Sequence, residues 1–179
     1  MNVPMNVPNT ITLFRILLIP VFVWQFLIEN LEIAAIIFFV AWVSDVLDGY
    51  IARKYDLITD FGKVFDPLAD KLITLVALFL LAYIEKIPLF IPVIILVKEV
   101  TLAVGGALLY KHKSDVVGAM WSGKIATFLF AVSIILMMFE ETADFAQIVI
   151  IWVALPMAFI ALITYVLNYF KVMKVKESE

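Results

Sequence analysis

The chain has 179 residues, of which 65% are hydrophobic and 16% charged, with a formal net charge of −3 and no cysteine. An ordinary soluble domain is about 45–50% apolar and about 25% charged, so this composition excludes a typical soluble protein and favours one embedded in a membrane. The lack of cysteine excludes a disulfide framework and a thiolate metal site. The length fits a single domain over residues 1–179.

Six apolar runs are each long enough to cross a membrane as a helix, which takes about 20 residues. They predict an all-α fold, an integral membrane bundle of six transmembrane helices. The predicted spans are residues 11–28, 31–53, 67–84, 88–110, 118–139 and 146–170. Because the first run contains Arg15 and no small-residue cleavage site follows it, we interpret it as a retained span rather than a signal peptide. Asn9 or Thr10 is a candidate cap for its helix.

The start of the third helix is open between two alternatives. Thr59 or Asp60 fits the start of a helix that runs into the third span. Alternatively, Asp66 fits a cap placed directly before the span, with Pro67 at the first helical position.

The connections between the spans alternate in charge. The first, third and fifth are acidic and hold one basic residue, Lys86. By the positive-inside rule, the opposite, basic side faces the cytoplasm, which predicts a multi-pass protein of the cytoplasmic membrane with both termini inside. The basic residues on that side are Arg15, Arg53, Lys54, Lys63, Lys71, Lys111, Lys113, Lys124, Lys171, Lys174 and Lys176.

An acidic segment lies between the second and third spans. Asp45 and Asp48 are three residues apart and share a helical face, and Asp66 and Asp70 share another if the third span is helical there. Four carboxylates therefore converge where two helices meet the cytoplasmic interface. Crowded carboxylates need a neutralising cation, and oxygen ligands without cysteine or histidine suit Mg²⁺, Mn²⁺ or Ca²⁺.

Small and basic residues accompany the carboxylates on the second helix. Gly49 and Ala52 continue the face of Asp45 and leave room for a bulky group near the backbone. Arg53 offers a rigid fork of donors suited to phosphate. Metal, arginine and space together indicate a site for a diphosphate.

The same segment resembles a known family signature. Residues 45–53, DVLDGYIAR, and 62–70, GKVFDPLAD, are similar at all eight fixed positions to the DxxDGxxAR…GxxxDxxxD motif of CDP-alcohol phosphatidyltransferases. The resemblance extends to Asn9, Thr12 and Arg15 in the first helix and to six spans. It also includes Gly123 and Lys124 near the start of the fifth span.

The resemblance implies a role for each matching position. Asp45, Asp48, Asp66 and Asp70 would hold one or two Mg²⁺ or Mn²⁺ ions, and Asp70 would also act as the general base on the acceptor hydroxyl. The CDP part of the substrate would be bound by Asn9, Thr12, Asp48, Gly49, Ala52, Arg53 and Gly62. The acceptor would be bound by Arg15, Lys63, Lys98 and Lys124.

The resemblance also implies the reaction and the partners. The phosphatidyl group of CDP-diacylglycerol would pass to an alcohol with release of CMP, at the boundary between bilayer and water. Two metal ions suit this displacement because they neutralise the attacking and the departing oxygens. We expect a homodimer in a lipid bilayer and no nucleic-acid partner.

The prediction of the acceptor alcohol depends on the fourth span, which carries Lys98 and Glu99. Charged residues within a membrane span usually indicate a functional pocket. The alternative, that Lys98 and Glu99 only neutralise each other, is less favoured because adjacent residues of a helix do not face each other. The chain is most similar to the branch that uses glycerol 3-phosphate and makes phosphatidylglycerolphosphate. Residues 105–109 and 123–129 share features with the cardiolipin synthase branch, whose acceptor is phosphatidylglycerol, and that remains the alternative.

An ion transporter is the alternative outside this class. It would carry charges near the middle of several spans and broken helices in matching halves. The second half of the chain holds no repeat of the acidic segment, which favours the enzyme.

Overall fold

The computed structural model describes residues 7–54, 60–111 and 121–177. Within these ranges the side chains of 7–9, 46, 48–53, 60–68, 107–111 and 170–177 are not described. The described chain is helical apart from short turns and contains no strand, which confirms the predicted all-α class.

Seven α-helices and one π-helical turn make up the described chain. They are α1 (Val7–Leu27), α2 (Leu31–Lys54), α3 (Asp60–Tyr83), α4 (Phe90–Lys111), α5 (Trp121–Met137), α6 (Glu140–Val149), the π-helical turn Ile150–Ala154 and α7 (Leu155–Glu177). Because α6, the π-helical turn and α7 follow one another without a break, the described residues form six helical rods, one for each predicted span.

The observed starts of three helices bear on the boundaries predicted from the sequence. One agrees with one of two predicted alternatives, and two differ from the prediction. Helix α3 begins at Asp60 and includes Pro67, so the earlier of the two predicted starts is the observed one. Helix α1 begins at Val7, which places Asn9 and Thr10 inside its first turn rather than at its cap. Helix α6 begins at Glu140, six residues before the predicted span, because its first turn carries acidic side chains that favour a helix N-terminus.

Two short turns close the helical hairpins α1–α2 and α3–α4 in the same way. Glu29 and Glu85 both adopt a left-handed backbone, with φ of 62° and 60°. After α1, the Glu29 and Asn30 N–H groups donate to the Phe26 and Gln25 carbonyls. After α3, Glu85 and Lys86 repeat the pattern. This pairing is the Schellman motif, in which glycine is the usual left-handed residue.

The π-helical turn lies directly before Pro156. The Leu155 N–H donates to the Ile150 carbonyl, a longer step than in an α-helix. Proline has no N–H, so the Trp152 carbonyl loses the bond that a regular helix would give it. The local change of winding therefore has an identifiable cause in the sequence.

The core lies between the helices and is built from aromatic rings and small residues. Phe22 on α1 contacts Phe26 and Phe38, with ring centroids 6.0 and 5.9 Å apart. Alanines at buried positions, such as Ala34 and Ala77, let the neighbouring backbones approach closely.

The outer surface of the bundle is strongly apolar. Trp121 and Trp152 are 80% and 74% exposed, and large aliphatic side chains are exposed along most helices. Monomeric soluble proteins rarely expose contiguous apolar surface on this scale. Among the described residues, Thr10–Leu27 and Glu140–Tyr169 are long and apolar enough to cross a membrane.

Candidate active site

Arg15 and Asp45 join the first two helices at the site. Arg15 lies on α1 with no solvent-exposed surface, and its Nη1 donates to Asp45 Oδ1 on α2 at 2.7 Å. A buried guanidinium is tolerated when a carboxylate neutralises it. The Asp45 side chain remains 32% exposed. A carboxylate has about four lone-pair sites, more than the single hydrogen bond from Arg15 uses.

Asp70 lies on α3, half-buried, near the same ion pair. Its carboxylate interacts electrostatically with Asp45 and Arg15, and also with Lys71 and Glu99. Two of the four predicted metal ligands, Asp45 and Asp70, therefore lie in one electrostatic environment. The side chains of Asp48 and Asp66 lie outside the described residues.

Helix α4 contributes a charged pair that reaches across to α3. Glu99 Oε1 accepts a hydrogen bond from Lys98 Nζ at 2.5 Å, and Glu99 Oε2 lies 2.6 Å from Lys71 Nζ. Lys98 and Glu99 are largely buried. The expectation that adjacent residues do not meet is wrong here, because both side chains are long enough to bend toward each other. The Lys98–Glu99 pair is also not isolated, because Glu99 forms a second ion pair with Lys71.

These charges line a pocket between α3, α4 and α5. Its apolar wall includes Leu75, Ile95 and Phe130. The polar lining consists of Asp70, Lys71, Thr74, Lys98, Glu99 and Thr127. The arrangement places a carboxylate that can accept a proton beside two ammonium groups that can bind an anion.

Two threonines of the pocket already donate their hydroxyl hydrogens. Thr74 Oγ1 donates to the Asp70 carbonyl at 3.1 Å, and Thr127 Oγ1 donates to the Gly123 carbonyl at 3.0 Å. Since a hydroxyl has one donor and two lone pairs, both side chains are left as hydrogen-bond acceptors in the pocket.

Other predicted site residues lie elsewhere or are not described. Lys124 is exposed on α5, with its Nζ 5.4 Å from the ring centroid of Trp121, and Thr12 is buried on α1 one turn before Arg15. The predictions for the remaining members of the CDP and acceptor sets fall on side chains outside the described residues. These members are Asn9, Asp48, Gly49, Ala52, Arg53, Gly62 and Lys63.

The described acidic residues fit part of a divalent-cation site. Among the side chains described, no group of three or more acidic or histidine residues comes together. Asp45 and Asp70 offer hard carboxylate oxygens, which Mg²⁺ and Mn²⁺ prefer. The chemistry of this donor pair is therefore compatible with the predicted metal.

The sequence pattern marked Glu99, with Lys98, as an intramembrane charge of a functional pocket, and the structure places both in the pocket lining. It placed Lys71 among the basic residues of the cytoplasmic side, and it did not indicate Thr74 or Thr127 as pocket residues. The signal that identifies them is helical spacing within apolar spans. Lys71 and Thr74 are three residues apart on α3, and Thr127 follows Gly123 by four on α5. Polar residues at such intervals share a face, although the spacing alone does not show which helices turn those faces toward each other.

Comparison with known proteins points to one family. A family model described as CDP-alcohol phosphatidyltransferase matches residues 5–160. The chain is 35% identical, over 97% of its length and 98% of the relative's, to the CDP-diacylglycerol–glycerol-3-phosphate 3-phosphatidyltransferase of Rickettsia felis. The protein of the same name in Bacillus subtilis is 38% identical over 74% of this chain and 77% of its own. A probable phosphatidylglycerophosphate synthase of Mycobacterium tuberculosis is 34% identical over 72% of this chain and 64% of its own.

Proposed function

The chain belongs to the CDP-alcohol phosphatidyltransferase family, and on that premise we propose that it transfers the phosphatidyl group of CDP-diacylglycerol to glycerol 3-phosphate. The products are phosphatidylglycerolphosphate and CMP. Relatives that the chain matches over nearly their whole length carry the name of this activity, which supports the choice of acceptor.

The observation that carries the proposal is the position of Asp70 beside two ammonium groups. The Asp70 carboxylate takes the proton of the glycerol hydroxyl as that oxygen attacks the phosphorus next to the diacylglycerol. The bond from this phosphorus to the CMP oxygen breaks, and CMP leaves with the electron pair. Lys71 and Lys98 line the same pocket and bind the phosphate of the acceptor, which orients its hydroxyl toward Asp70.

The two ammonium groups of the pocket favour glycerol 3-phosphate over phosphatidylglycerol. A phosphate monoester carries up to two negative charges and three terminal oxygens, and it can engage two ammonium groups at once. A phosphodiester has one charge and two terminal oxygens. The two lysines therefore suit a phosphate monoester better than a phosphodiester. The assay below also detects the product expected of the alternative, a cardiolipin synthase.

A divalent cation fits the aspartates of this site. Asp45 and Asp70, with Asp48 and Asp66 as the family resemblance implies, would hold Mg²⁺ or Mn²⁺. When bound, the metal neutralises negative charge on the diphosphate and on the departing oxygen. Arg15 holds one oxygen of Asp45 by a direct hydrogen bond and so restricts how that carboxylate turns.

The apolar outer surface supports a place in the cytoplasmic membrane, with the site on the cytoplasmic side. Six rods with exposed apolar side chains match a bilayer-embedded bundle, and the charge distribution of the connections supports this orientation. The predicted homodimer stays a prediction.

An acceptor competition assay tests the proposed function. Purified protein with Mg²⁺ or Mn²⁺ receives CDP-diacylglycerol with glycerol 3-phosphate and phosphatidylglycerol side by side, and the lipid product is identified by mass. We expect phosphatidylglycerolphosphate and a matching amount of CMP. Cardiolipin as the main product would contradict the acceptor, and no CMP with either alcohol would contradict the reaction. Asp70→Asn is the catalytic control, for which we expect a loss of about 100-fold or more in rate.

A further inference from the structure

Glu99 is the acidic side chain through which the two pocket lysines are joined. One of its oxygens accepts from Lys98 Nζ at 2.5 Å and the other lies 2.6 Å from Lys71 Nζ. Lys98 is its neighbour on α4, whereas Lys71 comes from α3. Glu99 therefore connects two helices and brings together two ammonium groups of like charge.

The pairing leaves the lysines with binding capacity. An ammonium group has three N–H donors; Lys98 uses one of them in its hydrogen bond to Glu99, and Lys71 uses at most one in its ion pair with the same carboxylate. The two lysines and Glu99 together carry a net charge of +1, and Asp70, which also lines the pocket, offsets it unless a bound cation neutralises that carboxylate. The threonine hydroxyls offer lone pairs there because they donate to backbone carbonyls. The pocket thus has donors for an anion and acceptors for a hydroxyl.

We propose that Glu99 is a positioning residue that selects a phosphorylated acceptor by holding Lys71 and Lys98 together beside Asp70. The inference rests on the proposed function and names the residue that sets its acceptor preference. Without the carboxylate, the two ammonium groups repel each other and their long side chains regain rotamer freedom. With it, both are oriented before the acceptor arrives, so less binding energy is lost in ordering them.

A second role for Glu99 predicts the opposite result. If Glu99 were only a counter-ion that the acceptor phosphate must displace, its removal would strengthen phosphate binding. The direction of the change in KM for glycerol 3-phosphate therefore separates positioning from simple charge neutralisation.

Glu99→Gln is the informative substitution because it keeps the size of the side chain. A glutamine amide has one oxygen acceptor, and its nitrogen only donates, so it can hold one ammonium group but not both. We expect KM for glycerol 3-phosphate to rise about tenfold, which corresponds to the loss of one charge-assisted contact. The kcat and the KM for CDP-diacylglycerol are expected to stay within about twofold. Glu32→Gln, in the exposed first turn of α2, is the matched control.

A binding measurement provides a readout that needs no turnover. Glycerol 3-phosphate, or inorganic phosphate in its place, is expected to raise the melting midpoint of the wild-type protein with saturation. The Glu99→Gln protein is expected to need about tenfold more ligand for the same shift. If that variant does not fold, Glu99→Asp, which keeps the charge and shortens the reach, replaces it and is expected to weaken phosphate binding in the same direction.

A double substitution tests whether Glu99 acts through Lys71. In a Lys71→Gln background, the Glu99→Gln change is expected to have a clearly smaller effect on the phosphate-dependent melting shift, since one of its partners is already gone. An unchanged or lowered KM for glycerol 3-phosphate in Glu99→Gln would overturn the inference and leave the proposed function intact. If Glu99→Gln weakens phosphate binding but the wild-type protein releases no CMP, the proposed function is contradicted and the positioning of the two lysines by Glu99 still holds.

Discussion

Arg15 on α1 and Asp45 on α2 form a hydrogen-bonded ion pair of 2.7 Å in which the guanidinium has no solvent-exposed surface. The pair links the first helix of the chain to the first residue of the acidic motif. A predicted metal ligand is thus also part of the packing between two helices.

Asp45→Asn is expected to lower both activity and stability, whereas Asp70→Asn lowers activity alone. An asparagine at 45 leaves the buried Arg15 guanidinium facing a neutral amide, which costs about 2 kcal/mol of unfolding free energy. Asp70 interacts with Arg15 only at longer range, so its replacement leaves the direct ion pair between the guanidinium and Asp45 in place. Thermal unfolding of both variants in the same detergent, next to CMP release, checks the contrast. Equal melting midpoints for the two variants would show that the ion pair does not stabilise the fold.

Two of the three lysines predicted from sequence as acceptor-binding residues, Lys98 and Lys124, are expected to differ in their effect on KM for glycerol 3-phosphate. Lys98→Met is expected to raise KM for glycerol 3-phosphate by about tenfold or more, because Lys98 lines the pocket. Lys124→Met is expected to leave it unchanged, because Lys124 lies over the Trp121 ring at an exposed position. Initial rates over a range of glycerol 3-phosphate concentrations decide this. A comparable rise for Lys124→Met would place the acceptor elsewhere.

Glycine is expected to stabilise both left-handed turns. Glu29 and Glu85 have positive φ, which costs a non-glycine residue about 1 kcal/mol. Glu29→Gly and Glu85→Gly are each expected to raise the melting midpoint, with nearly additive effects because the turns are separate. Glu32→Gly, inside the helical first turn of α2, is the control and is expected to lower it. A lower midpoint for either turn variant would contradict the backbone argument.

Alanine substitution of two neighbouring glycines on α4 is expected to give different results. A Cβ at Gly105 would lie 3.1 Å from both the Cε1 atom and the hydroxyl oxygen of Tyr165 on α7, whereas one at Gly106 would lie 3.7 Å from that hydroxyl. Gly106→Ala is therefore expected to stabilise the protein by about 1 kcal/mol through its higher helix propensity. In Gly105→Ala the close contact with Tyr165 is expected to offset this stabilisation. Melting curves of both variants, repeated with Tyr165→Leu, check this. If the clash is the cause, the two alanines become equivalent once the ring is removed.

The sequence predicted the number of helical rods better than the contacts between them. Apolar runs and turn residues are local signals, so the rods and the acidic motif were identifiable from the chain alone. Arg15 was assigned to the acceptor, yet the structure pairs it with a carboxylate 30 residues away. Such a contact depends on how α1 and α2 pack, which residue spacing does not encode.

The charged pair on α4 shows a second limit of pattern reasoning. Helical geometry separates Lys98 and Glu99 around the axis, but their flexible side chains meet, and Lys71 joins them from another helix. Rules based on Cβ direction hold for short side chains and are weaker for long ones. The start of α3 at Asp60 was one of two open alternatives, because a proline is compatible with the first turn of a helix and is also tolerated further in when neighbouring helices support it.

The π-helical turn before Pro156 holds one residue more than the regular turn it replaces. Buried alanines lie on either side of it, Ala146 before and Ala158 after, so the inserted residue is accommodated without losing the buried face. Deletion of one residue within Ile150–Ala154 is thus the length change that this rod can best absorb, by rewinding to a uniform helix. Among homologous chains, we expect gains and losses of a single residue to gather at this position, and to accompany the presence or absence of the proline.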